Sequence, residues 1–268
     1  MIEHILNQIT DELSVCPFIN GIVLGGSRAT GTATDKSDID IGIYYDKGQV
    51  DFKALNEIAS RLDDMHRDNL ICEEGGWGKW VNCGGWLTIG GFQVDLILRE
   101  INRVADCIRQ TDEGNISAHY QTGHPHAFLN VMYRGELASC QTLYAKDARF
   151  LELKAQAETY PDRLAEALVS FFLFEANFSC MLAQQYGTEM DVYYKAGHLF
   201  RSVSALNQVL FALNRTYCLN EKKATLRINQ LRIVPKCYHE RVNKIFSLCG
   251  ECYATAIMSR RPQRICHI

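Results

Sequence analysis

The chain reads as an α+β protein, with an N-terminal mixed-sheet unit followed by an α-helical bundle. Three observations predict this. Short apolar or alternating runs bounded by glycine fill the first hundred residues, while beyond "HPHAFLNVMYRGE" the apolar residues recur at helical spacing over long stretches. A length of 268 residues slightly favours two domains over one. The boundary is expected near 145, giving 1–145 and 146–268. No fixed-period repeat and no low-complexity linker separates the halves.

Ile2, Ile5, Leu6, Ile9 and Leu13 have helical spacing, which predicts an opening amphipathic helix ending near Pro17. "NGIVLGGS" reads as a buried strand running into a glycine turn, and "SDIDIGIYY" alternates strictly, as a strand with one buried face does. "FKALNEIASRLDDM" returns to helical period. "GGWGKWVNCGGWLTIGGFQVDLILRE" holds all three tryptophans between glycine pairs and reads as a hairpin or meander ending in the strand "FQVDLIL". "PDRLAEALVSFFLFEANFSCMLAQQYG" and "VYYKAGHLFRSVSALNQVLFALNRTY" predict long helices, the first opened by Pro161. Its run "SFFLFEANFSCML" is expected in the core.

Composition excludes several classes. With 47% apolar residues, 22% charged residues and a net charge of -3, the chain is neither disordered nor fibrous, and it lacks the basic excess of a nucleic-acid binder. Glu3, Asp11 and Glu12 break the pattern of a secretory leader, and no apolar run approaches the ~18 residues of a membrane span, so a cytoplasmic location is expected, with no membrane partner. The eleven cysteines are irregularly spaced and read as reduced, buried residues. Asn115, Asn177 and Asn214 then carry no glycan. "CGEC" from Cys249 to Cys252, with Cys266 and His267, approaches zinc-ligand spacing, but "RVNKIFSLCGECYATAIM" reads better as a helix.

The chemistry concentrates in three places. In a strand, residues two apart share a face, so Asp38 and Asp40 place their carboxylates side by side, about 6 to 7 Å apart along the backbone. Such crowding is costly unless cations neutralise it, and magnesium is the hard cation that favours carboxylate oxygen. Upstream, Gly25 and Gly26 let the backbone approach a ligand, and Ser27 adds a hydroxyl and an amide. Downstream, Asp95 interrupts an apolar strand, where a carboxylate needs a partner. Should the two strands be neighbours, three acids converge, enough to hold two ions for in-line phosphoryl displacement.

A strand, "GGS", a spacer, "DID" and a later isolated aspartate resemble the nucleotidyltransferase superfamily that includes DNA polymerase beta, over roughly residues 20–100. The helical half looks like the C-terminal domain of small bacterial enzymes related to aminoglycoside and lincosamide nucleotidyltransferases. The resemblance implies transfer of a nucleoside monophosphate from an NTP, with ATP the expected donor, to a hydroxyl of a small molecule such as those antibiotics. Asp38 and Asp40 would bind two Mg2+ ions and Asp95 one of them, Asp95 also accepting the hydroxyl proton. Gly26, Ser27 and Arg28 would hold the phosphates, with Lys195 reaching them across a cleft between the domains.

Glu73, Glu74, Glu100 and Glu136 are alternative bases. Rival readings are transfer to a protein or tRNA, as in toxin-like relatives, and a catalytically silent nucleotide-binding module. "HYQTGHPHAF", with His119, His124 and His126, reads as a loop. Trp77, Trp80 and Trp86 read as cover for a core edge or as a stacking surface for a base or acceptor.

Overall fold

The computed structural model describes the backbone of residues 1–186 and 191–258, with side chains up to Cys249. The chain divides into two compact units, Met1–Leu164 and Ala165–Ile268.

The first unit is built on a five-stranded sheet. It opens with α1 (Ile2–Ser14), whose Ile5, Ile9 and Leu13 form one buried stripe. Next come β1 (Ile19–Leu24), the four-residue helix α2 (Gly26–Ala29) and β2 (Ile39–Tyr45). The Asp51 side chain accepts from the Ala54 amide and starts α3 (Phe52–Leu62). β3 (Cys83–Ile89) and β4 (Phe92–Glu100) form a hairpin through Gly90 and Gly91, whose φ values of 58° and 79° suit a two-residue turn that only glycine-like residues make readily. The strand order is β3-β4-β2-β1-β7, with β2 and β4 parallel and the other pairs antiparallel.

The stretch after β4 holds elements that the sequence patterns missed. These are α4 (Ile101–Asp112), β5 (Ala118–Gln121), β6 (His124–Leu129), α5 (Val131–Ser139), the edge strand β7 (Gln141–Ala145) and α6 (Ala148–Glu158). "HYQTGHPHAF" is thus a hairpin, not a loop. It is anchored by Trp80, which stacks on His119 at 3.8 Å and on Phe128 at 5.8 Å, contacts that local periodicity does not encode. Arg134 on α5 is buried and ties three helices together, pairing with Asp112 at 2.7 Å and donating to the carbonyls of Ile108, Gln156 and Thr159.

One face of the sheet carries the core. Ile39, Ile41 and Ile43 of β2 and Val94, Leu96 and Leu98 of β4 are buried in one cluster with residues of α1 and α3. The other face is covered toward the carboxyl ends of β2 and β4. There Tyr44 meets Phe150 of α6 at 5.2 Å, and Arg99 pairs with Glu136 of α5 at 2.8 Å. The amino ends of both strands lie beyond that cover, which leaves Asp40 and Asp95 only half-buried. Strict alternation in β2 ends at Tyr44 and Tyr45, which are both buried because each face is covered there.

The second unit holds most of α7 (Asp162–Gln185), then α8 (Val192–Leu213), α9 (Ala224–Ile228) and α10 (Tyr238–Met258). Leu210 and Phe211 pack with Ile228, Tyr238 and Val242, and the Tyr238 hydroxyl donates to Asn207 at 2.9 Å. On α7 the stripe Leu164, Leu168, Phe172, Ala176 and Ala183 is buried, whereas Phe171, Phe174, Phe178 and Met181 are exposed, so "SFFLFEANFSCML" is only partly core. By length and composition α7 is also apolar enough to cross a membrane, contrary to the sequence expectation. Its buried stripe and the Glu175–Arg201 ion pair at 2.7 Å are those of a packed helix.

Among the described residues the cysteines are free thiols, with Cys16, Cys83, Cys107, Cys140 and Cys218 buried. Cys249 lies on α10 as expected; the Cys252 side chain, Cys266 and His267 fall outside the described residues.

Candidate active site

The β2–β4 register sets the site. Asp40 is the direct parallel partner of Asp95, and Asp95 is the direct antiparallel partner of Trp86 on β3. On the other side of β2, the Gly25 amide donates to the Asp40 carbonyl at 2.8 Å. Partners across a sheet project to the same face. Trp86, Asp95, Asp40 and the glycine turn therefore form one row over four neighbouring backbone segments, at about 4.8 Å per step.

Asp38 stands just outside this row. It lies one residue ahead of β2 and is exposed, so the alternation of the strand includes Asp40 but not Asp38. Arg28 governs that approach: its Nε donates to the Asp38 carbonyl at 3.1 Å and its Nη2 to the Ser37 carbonyl, with the guanidinium 5.9 Å over the Phe92 ring. Arg28 thus fixes the path of the chain into β2. Ser27, half-buried, lends its carbonyl to the Thr32 amide at 2.9 Å, which closes the loop behind the turn.

Gly26 is required where it stands. Its φ is 59°, and a Cβ there would lie 1.8 Å from Oδ2 of Asp40. The turn therefore makes room for that carboxylate, and only a residue without a side chain leaves the room.

Electrostatics distinguish the three acids. Burial first, and then the charges of Asp40 and Asp38, push the Asp95 carboxyl up to about 6. Such a group is ionised at neutral pH yet readily takes a proton, as a general base should. The alternative bases have other tasks. Glu74 accepts from the Tyr45 hydroxyl at 2.6 Å and pairs with Lys47 at 2.7 Å. Glu100 caps α4 through the Asn102 and Arg103 amides, and Glu136 holds Arg99. Glu73 is exposed. Lys195 lies in the first turn of α8, within the second unit.

Among the described residues no group of three or more His, Cys, Asp and Glu side chains closes into a metal-holding cluster. The donor chemistry nevertheless fits a hard divalent cation. Three carboxylates share one region, their charges hinder one another's ionisation at Asp95, and Gly26 leaves the room that an oxygen of Asp40 occupies.

The sequence reading missed the place of Trp86 beside Asp95. The signal was present, since a two-residue glycine turn pairs Ile89 with Phe92 and, counting back, Trp86 with Asp95.

A five-stranded mixed sheet with its acids at the open end of one face, followed by helices, is the architecture of a nucleotidyltransferase-like domain. Residues 7–72 match the family model described as "Polymerase beta, Nucleotidyltransferase", a span that includes the glycine turn, Asp38 and Asp40. The chain thus carries a nucleotidyltransferase superfamily domain of the polymerase-beta kind. Among solved structures, a nucleotidyltransferase-like protein from Exiguobacterium sibiricum 255-15 aligns over 97% of this chain and 77% of that one, at 10% identity and a TM-score of 0.40, a likeness too slight to carry an argument. No curated protein matches.

Proposed function

We propose that the protein is a metal-dependent nucleotidyltransferase that moves a nucleoside monophosphate from an NTP, with ATP the expected donor, to a hydroxyl of a small molecule. The observation that carries this reading is the direct pairing of Asp40 with Asp95 at the open end of the sheet. Two adjacent carboxylates there cost stability, and a bound cation offsets that cost.

Asp38, Asp40 and Asp95 would hold two Mg2+ ions, whose chemistry when bound is to polarise the phosphoryl group and neutralise charge developing on it. Gly26 and Ser27 would hold the triphosphate close to Asp40, the glycine admitting the approach. Arg28 shapes this turn from behind, through the carbonyls of Ser37 and Asp38. Lys195 is the further candidate to balance phosphate charge.

In the reaction, the acceptor oxygen forms a bond to the α-phosphorus as the bond from that phosphorus to the bridging oxygen breaks. Pyrophosphate leaves, and the hydroxyl proton passes to the Asp95 carboxylate and then to solvent.

The test is a panel of hydroxylated small molecules, aminoglycosides and lincosamides among them, incubated with the protein, MgCl2 and each NTP. The expected result is pyrophosphate release together with an acceptor heavier by one nucleoside monophosphate. A panel without transfer, set against labelling of a protein or tRNA, would move the acceptor to that class.

A further inference from the structure

Trp86 is 60% exposed, although tryptophan is among the side chains with most to gain from burial. It is not loose. Its ring stacks on Trp77 with centroids 4.6 Å apart and planes 25° from parallel, and its carbonyl accepts from Arg67 at 3.3 Å. Gly84 leaves room for this approach: a Cβ there would lie 2.4 Å from the Trp77 ring, and also 2.1 Å from the Leu96 carbonyl oxygen. The Trp77 amide donates to the Asn82 carbonyl at 2.9 Å, and its carbonyl accepts from the Gln121 amide group at 2.6 Å. A second indole, itself anchored at both its amide and its carbonyl, thus holds Trp86 in one orientation at the surface.

What lies beside that indole names its use. Along the row Gly25, Asp40, Asp95 and Trp86, the glycine turn and the indole stand at opposite ends, about 14 Å apart over three strand spacings. In-line displacement requires the attacking oxygen and the departing pyrophosphate to occupy opposite sides of the phosphorus. With the triphosphate at the glycine end, the attacking molecule belongs at the Trp86 end.

We propose that the stacked Trp77–Trp86 pair is the acceptor platform: the acceptor is a ring-bearing molecule whose flat apolar face lies on Trp86, with a hydroxyl at the ring edge directed to Asp95. This rests on the transferase reading above and deepens it. A rigid indole stacks a flat partner without the entropy cost of ordering a mobile side chain. The fitting faces are the C–H face of a pyranose and the π face of a phenol, and experiment separates these two sources.

Full-length protein in EDTA is titrated with methyl β-D-galactopyranoside, with 4-methylphenol and with glycerol while tryptophan fluorescence is followed. We expect a saturable change with one of the two ring compounds, which names the source, none with glycerol, and loss of the change in Trp86→Ala. No response to either ring, or an undiminished response in Trp86→Ala, overturns the platform. Steady-state kinetics with MgATP and the responding compound form the second arm. Trp86→Ala is expected to raise the acceptor KM at least tenfold with the ATP KM unchanged, and Trp86→Phe to return it to within about threefold of the parent. A matched rise in the ATP KM in Trp86→Ala would overturn the proposal. Saturable binding without pyrophosphate release would refute the transferase reading while the platform stands.

Discussion

Asp95 and Asp40 are direct partners in the one parallel strand pair of the sheet, β2 with β4. Burial and the neighbouring charges raise the Asp95 carboxyl to about 6. The sign follows from linkage. A carboxyl raised in the folded state favours folding below its unfolded value of about 4, and that contribution is lost as pH rises through 6. At neutral pH the ionised group therefore opposes folding. Asp95→Asn is expected to raise the melting temperature in EDTA at pH 7.5, by about 2–4 °C for each kcal/mol relieved. The gain should shrink to nothing by about pH 3, below the unfolded value, where both proteins are neutral at this position in either state. Thermal melts across that range check it.

Gly26 tests the turn. Gly26→Ala sets a methyl group where Oδ2 of Asp40 lies and forces a left-handed φ on a residue that resists it, at a cost of about 1–2 kcal/mol. We expect a folded protein whose apparent affinity for MgATP falls at least tenfold, read by calorimetry. Gly25→Ala should be far milder, since a Cβ there meets the Asp40 carbonyl oxygen at an ordinary 3.6 Å.

Away from the site, Asp63 sets an acid limit on stability. Its side chain is buried and accepts from the Arg67 guanidinium at 2.6 Å and 2.9 Å and from the Thr88 amide at 2.9 Å. The Arg67 hydrogen bonds hold the carboxyl well below the usual carboxylate range despite burial. A depressed carboxyl stabilises above its unfolded value near 4 and loses that contribution as pH falls through the folded value. Asp63→Asn is expected to lower the urea midpoint at pH 7, and the gap to the parent should close only in strong acid.

Arg134 is the corresponding link among α4, α5 and α6. Arg134→Met removes a donor from the Gln156 and Thr159 carbonyls and from the Asp112 carboxylate, which keeps the Gln156 side-chain amide at 2.6 Å. A loss of about 1–3 kcal/mol in urea unfolding is expected for buried acceptors that lose a charged donor.

The sequence carried the site in part. Alternation in "DIDIGI" placed Asp40 opposite the buried isoleucines, and the glycine turn of β3–β4 encoded the pairing of Trp86 with Asp95. The Asp40–Asp95 pairing was not legible in the same way. Parallel strands are joined by a long crossover rather than a turn, so no local spacing fixes their register. The region from α4 to β7 escaped for a related reason: its hairpin is held by Trp80 and Tyr133 and its helices by Arg134, contacts between elements rather than periodicity within them. Arg28 showed only as a cation beside a serine; its hydrogen bonds to the Ser37 and Asp38 carbonyls needed the fold of the loop.

The central claim is that Asp40 and its neighbours grip divalent cations beneath a triphosphate. The most direct measurement compares the melting temperature of the parent and Asp40→Asn with ATP, with and without MgCl2. At a hundredfold excess over Kd, a single bound ligand adds about 2.7 kcal/mol, a shift of several degrees in a protein of this size. The account expects that shift in the parent only when magnesium and ATP are both present, and its disappearance in Asp40→Asn. An equal magnesium-dependent shift in the variant would contradict it.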